Sequence, residues 1–182
     1  LNHLLKSVRK PLLFVLLMWA VYILQVNFLP NWAFLGIFPR TEIGLLGILC
    51  APMLHGNPLH LVSNTFPVLI LGTTVYFFYP RAADRIFFLS YIGTNILVWI
   101  FARPSIHVGA SGVVYGIAFF LFFIGFFRKD FMSIVISLTM AALYGGIIYG
   151  IFPGEAYVSW ESHFFGAMVG LGCAFYFRRN KK

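Results

Sequence analysis

Three polar residues in an apolar chain carry the chemistry to be explained. Ser111 lies in the run Gly109-Ala110-Ser111-Gly112, His163 near the start of the apolar run Trp160–Phe177, and Asn64 in the run Leu59–Tyr79. A hydroxyl that meets an imidazole is the pairing nucleophilic catalysis requires, since the imidazole takes the hydroxyl proton as attack proceeds. An amide at the same depth adds a hydrogen-bond donor. Each residue alone has a plainer reading. A membrane serine commonly eases helix packing, and a histidine can bond a carbonyl. An ionisable group inside a membrane nevertheless marks a functional site by default, so the question becomes whether the three can meet.

The chain that must position them is a membrane protein. Of its 182 residues 60% are hydrophobic and 10% charged, with a mean hydropathy of +0.89, against about 25% charged for soluble domains. The chain opens on Leu1, so its natural start is expected upstream, and no stretch reads as a cleaved secretory signal. The pI near 9.8 invites a nucleic-acid partner. The basic residues cluster at the ends of apolar runs, however, where orientation signals belong, and no nucleic acid is expected.

Six runs qualify as spans by length: Pro11–Phe28, Leu59–Tyr79, Ile86–Ala102, Ser111–Phe127, Phe131–Ile151 and Trp160–Phe177. Between the first two, Ile43–Leu54 is too short to cross and is interrupted by Pro52, which suits a half-embedded interfacial segment. Six spans place eleven lysines and arginines on one side and only Arg40 and Arg103 on the other. That bias puts both termini in the cytoplasm. It also puts Cys50 and Cys173 at opposite ends of the membrane, which argues against a disulfide. No repeat or linker divides the chain, and residues 1–182 read as one domain.

Helical rise sets depth at about 1.5 Å per residue. From the cytoplasmic arginines, Asn64 and Ser111 lie about 25 Å up their spans and His163 about 22 Å, all a little below the outer surface of a core about 30 Å thick. His60 is one turn above Asn64 on the same face. Pro104 ends the third span and Ser111 opens the fourth shortly after, so the fourth helix begins within the membrane after a re-entrant segment. Gly109 and Gly112 relieve the backbone there. Irregular backbone at that depth must line a polar cavity or be buried in protein. The spacings Gly112-x-x-x-Gly116 and Gly166-x-x-x-Gly170 offer two small faces through which the fourth and sixth spans can approach. Tyr115, one turn below Ser111, can then stack on the His163 ring.

Other polar groups read differently. His107, in the irregular segment, is expected to point outward; Asn95 is expected to make an interhelical hydrogen bond. Among the acids, Asp84 and Asp130 lie at the wrong face and Glu161 on the opposite side of its helix from His163. Only a loop residue such as Glu155 could complete a triad, so a Ser-His dyad is the expectation. There is no H-E-x-x-H, and His55, His60 and His163 lack a neighbouring acid. Neither a metal nor a cofactor is expected.

At this point the motifs resemble those of the rhomboid intramembrane serine proteases. The resemblance covers nearly the whole chain and rests on HGNPLHLVSN at the second span, GASGVVYG at the fourth and SHFFGAMVG at the sixth. It implies an all-α bundle of six transmembrane helices with Ser111 as nucleophile, His163 as base and Tyr115 supporting the ring. It further implies that His60 and Asn64 join the Ser111 N–H in an oxyanion hole, and that His55 organises the first loop. Many bacterial members carry a Trp-Arg pair in that loop where this chain has Leu46 and Gly47. The activity implied is cleavage of single-span membrane proteins near the outer face, by a multi-pass protein of the bacterial inner membrane. The alternative is a non-catalytic binder of the same helices. A channel or transporter lacks the acids and repeat symmetry such proteins use.

Overall fold

The computed structural model describes residues 2–29, 31–154 and 158–179. Eight α-helices follow one another among them: α1 Asn2–Phe28, α2 Gly44–Cys50, α3 Pro58–Phe78, α4 Pro80–Phe88, α5 Thr94–Phe101, α6 Ser111–Arg128, α7 Phe131–Tyr144 and α8 Trp160–Tyr176. A π-turn, Leu89–Gly93, joins α4 to α5, and a 3-10 stretch, Gly145–Ile151, extends α7. The one pairing of extended backbone among the described residues is an isolated bridge between Ile37 and His107.

Among the described residues five stretches are long and apolar enough to cross a membrane: Asn2–Phe28, Pro80–Phe101 with its π-turn, Phe131–Ile151, α3 and α6. The sixth expected span, α8, has 17 residues and rises about 25 Å, less than a hydrocarbon core of about 30 Å. Two spans also begin earlier than their apolar runs. α1 starts at Asn2 rather than Pro11, and the third span at Pro80 rather than Ile86. In both, the added turns carry charge, and helix outlasts the apolar run because charged residues such as Lys and Arg are good helix formers.

α6 is the axis of the bundle, with α8, α7 and α3 against it. Its contact with α8 is made at backbone level. A Cβ on Gly166 would strike the Gly112 carbonyl, and one on Gly170 the Gly116 carbonyl. On another side, a Cβ on Gly116 would lie 2.5 Å from Ser90 Oγ, so the π-turn also presses directly on α6. Packing this close is what small residues permit between membrane helices. α7 is tied to α6 through Ser137, whose Oγ donates to the Leu121 carbonyl at 2.7 Å and accepts from the Gly125 N–H at 2.8 Å.

α1 lies along α3. A Cβ on Gly72 would sit 3.0 Å from the Pro11 ring, Trp19 Nε1 donates to Thr65 Oγ1 at 3.0 Å, and Gln25 reaches His55. At one end of the bundle Lys10 of α1 pairs with Asp84 of α4, Arg128 of α6 stands over the Tyr79 ring and Arg85 of α4 over the Phe177 ring. At the other end Arg40 donates to the Ile100 and Ala102 carbonyls at 3.0 and 2.8 Å, a cation on the helix end whose carbonyls are unpaired.

The long first loop holds a short apolar helical stretch, Gly44–Met53, below spanning length. α2 continues into a 3-10 turn, Ala51–Met53. It is fastened to the third span by Asn95 Nδ2 donating to the Ile48 carbonyl at 2.9 Å and by the Tyr91 hydroxyl donating to the Leu49 carbonyl. Asn95 thus makes the expected interhelical hydrogen bond, with the loop helix α2 as its partner.

Candidate active site

Ser111 is the first residue of α6, half-buried, and the helix has no side-chain cap. Its leading N–H groups are therefore without intrahelical partners and carry the positive end of the helix dipole. Two groups of residues flank it along the chain.

Downstream, Tyr115 lies one turn along α6 and its ring stacks on His163, with centroids 4.1 Å apart and planes at 2°. Both rings are fixed by the stretch after α7. The Tyr115 hydroxyl donates to the Ile147 carbonyl at 2.8 Å, and His163 Nδ1 lies 3.0 Å from the Gly150 carbonyl. A carbonyl oxygen only accepts, so Nδ1 carries the proton and the neutral ring leaves the Nε2 lone pair available. The first turn of α8 abuts Ser111's neighbour: a Cβ on Gly112 would be 3.4 Å from the Ser162 carbonyl.

Upstream, Gly109 has φ +106°, which glycine alone adopts without strain. A Cβ there would lie 2.6 Å from His60 Nε2 and 3.6 Å from Asn64 Nδ2. Both side chains of α3 therefore converge on the backbone two residues before Ser111. Asn64 uses one amide hydrogen on the His60 carbonyl at 3.1 Å and retains a second. The Gly109 N–H donates to the Ala51 carbonyl at 2.9 Å, which seats the segment on the end of the first loop.

His55 is fully buried behind His60, edge-on at 5.1 Å between centroids. Its backbone is clamped by Gln25, whose Nε2 donates to the His55 carbonyl at 2.6 Å while its Oε1 accepts from the His55 N–H at 3.2 Å. Burial, then the neighbouring His60, pulls the His55 imidazole down to about 4, against a weaker opposing pull from the Met53 carbonyl. His55 is thus neutral and structural in its contacts. Gly166 and Gly170 serve the seam described above, and Gly112 and Gly116 are their counterparts.

One expectation is overturned. His107 points inward and is 1% exposed. Its backbone exchanges both hydrogen bonds with Ile37, at 2.9 and 3.0 Å, and the pairing turns the ring toward α8. There Nδ1 meets Ser159 Oγ at 2.6 Å and Nε2 meets the Arg103 carbonyl at 3.1 Å. Glu161 is buried and lies 3.2 Å from Arg103 Nε. Glu155 lies outside the described residues. No group of three or more His, Cys, Asp or Glu that could hold a metal exists among the described residues. Both cysteines are free, Cys50 half-buried and Cys173 buried.

The sequence reading missed two contributors. Gln25 was visible as a lone amide in an apolar run; the Gly150 carbonyl, being backbone, had no signal at all.

Comparison with known proteins gives this arrangement a context. A family model described as the Rhomboid domain matches residues 42–180. Uncharacterised proteins of Mycobacterium bovis and Mycobacterium tuberculosis are each 37% identical over 149 residues, which is 77% of this chain and 62% of the relative. One from Mycobacterium leprae is 34% identical over 153 residues, covering 75% and 57%. The chain thus spans about three fifths of the length of these curated relatives.

Proposed function

The chain belongs to the rhomboid family, and from that premise we propose that it is an intramembrane serine endopeptidase that cleaves single-span membrane proteins near the outer face. The observation that carries the reading is the committed tautomer of His163. With Nδ1–H engaged by Gly150, the ring can act as a base only through Nε2.

In this reading the Ser111 oxygen attacks a substrate carbonyl carbon while its proton passes to His163 Nε2. The oxyanion that forms is held by the Ser111 N–H, by the free amide hydrogen of Asn64 and by His60. Collapse breaks the C–N bond, and the Nε2 proton goes to the leaving amine. Water, deprotonated by the same nitrogen, then attacks the acyl-enzyme; the acyl C–Oγ bond breaks and the Nε2 proton returns to Ser111 Oγ. A substrate helix must unwind locally first, because its carbonyls are already hydrogen-bonded. The charge bias supports cytoplasmic termini, and bacterial relatives support an inner-membrane setting.

Labelling with a serine-reactive fluorophosphonate tests the proposal. The intact protein is expected to label at one site and Ser111→Ala not at all. An unlabelled protein that still captured single-span helices would instead be the non-catalytic binder.

A further inference from the structure

Between the flanks of Ser111 runs a hydrogen-bonded chain that the dyad does not require. The ring of His107, four residues before Ser111, bridges to the residues that open α8, four and one residues before His163. Its donors and acceptors have only one arrangement when the ring is neutral. The Arg103 carbonyl accepts, so Nε2 carries the proton. Nδ1 then accepts from the Ser159 hydroxyl at 2.6 Å. With its proton committed, Ser159 Oγ accepts from the Ser162 hydroxyl at 2.7 Å and from the Ser162 N–H at 3.3 Å. The last of these is also the N-cap of α8.

From this, and on the protease reading above, we infer that His107 is a positioning residue: with Ser159 and Ser162 it latches the segment carrying Ser111 to the helix carrying His163. The glycine seam fixes how far apart α6 and α8 lie. Facing glycines have no side chains to interdigitate, so sliding of one along the other is limited by side chains beside the seam, among them the Tyr115 ring stacked on His163. The latch adds a further limit at the level where it matters, since the Ser162 carbonyl already abuts Gly112. The bridge between His107 and Ile37 extends the same constraint to the first loop. Burial is the main force lowering the His107 pKa, in keeping with a neutral ring. The nearest charges are Arg103 and Glu161, paired with each other.

Displacement of a reacting group by about 1 Å can cost about 100-fold in rate. His107→Ala and Ser159→Ala are therefore each expected to lower kcat, and the rate of fluorophosphonate labelling at Ser111, by at least about tenfold. KM for a single-span substrate should stay within about twofold, because substrate contacts are intact. Since both variants cut one chain, the double variant should be no slower than the worse single one. Ser159→Thr, which keeps the hydroxyl, should restore the rate. A general loss of stability would predict neither the non-additivity nor the rescue. Well-folded single variants with wild-type kcat, or losses that multiply in the double, would overturn the latch while leaving the protease standing. A wild-type protein that never labels overturns the protease reading itself. Should the alanine variants fail to fold, nitrogen-15 NMR of wild-type His107 decides: a neutral ring protonated at Nε2 at pH 7 is required, and a proton on Nδ1 sinks the proposal.

Discussion

The two flanks of Ser111 are built from different materials. Downstream, α6 and α8 meet carbonyl against glycine, and the His163 ring is held between the Tyr115 ring and a backbone carbonyl. Upstream, the contacts are side chains of α3 resting over a positive-φ glycine, on a loop fastened by Gln25 and Ala51. The burial of the two helices follows. Two thirds of α6 is buried, against one third of α3. A backbone-to-backbone seam has no slack, so added volume there disrupts the bundle. A side-chain cluster over a loop tolerates truncation, so its failures should be chemical rather than structural.

The largest effect should come from filling the seam. A Cβ on Gly166 would overlap the Gly112 carbonyl and lie 3.1 Å from Tyr115 Cβ, atoms that can move only with their helix. Gly166→Leu is expected to cost at least about 3 kcal/mol, the upper end for overpacking, and to leave no active protein. Gly172→Ala, on the same helix with open space around it, should be neutral. Thermal unfolding in detergent compares the two. A stable Gly166→Leu protein would show that the seam is looser than its geometry.

The upstream flank should behave in the opposite way. Asn64→Ala removes a donor whose geometry points at Gly109 and leaves the fold of α3 to its apolar residues, so kcat should fall about 10²–10³-fold with an unfolding midpoint near that of the wild type. His163→Ala should abolish turnover. Turnover and unfolding measured on one preparation separate the cases. An Asn64→Ala protein that turns over normally removes that side chain from the site, and one that loses stability in step with activity makes it a packing residue.

The sequence made much of this visible, and the reason is that depth in a membrane helix is a count of residues. Counting from the basic ends put Ser111, His163 and Asn64 at one level, and the glycine spacings named the seam. Counting works only along helices. His107 was misplaced because its direction is set by a two-residue bridge to Ile37, a pairing between distant segments with no periodic pattern. α8 opens at Trp160, where its apolar run begins and Ser159 caps it, and differs from that run only in ending at Tyr176, where a 3-10 turn takes over. The first loop is the instructive case. Leu46 and Gly47 looked like the loss of a Trp-Arg pair, but Gly47 faces the backbone of Gly36 and Ile37 too closely for any side chain. This loop is closed by main-chain contact instead. Gly47→Arg is therefore expected to destabilise it by about 1–3 kcal/mol, seen as faster proteolysis within residues 29–57 while α6 and α8 stay protected. Unchanged proteolysis would mean the loop does not depend on that contact.

The smallest expected effect separates the flanks by pH. His55 is fully buried with its ring held near a pKa of about 4, against 6.5 for a free imidazole. Between those two values the unfolded chain takes up a proton at His55 that the folded protein refuses. Stability then rises with pH wherever the unfolded state binds more protons. The contribution of His55 is thus fully present above about pH 6.5, falls as the pH drops toward about 4, and does not fall further below that. One proton limits the slope to about 1.4 kcal/mol per pH unit. His55→Gln cannot titrate, so its unfolding midpoint should fall less steeply over the same range even if it starts lower. Because His55 sits behind His60, the acid loss should appear first as exposure of the first loop, read by proteolysis within residues 29–57, with the α6–α8 seam still intact. Parallel slopes for wild type and His55→Gln would show that some other group governs the acid limb, and simultaneous opening of loop and seam would show that the flanks do not fail independently.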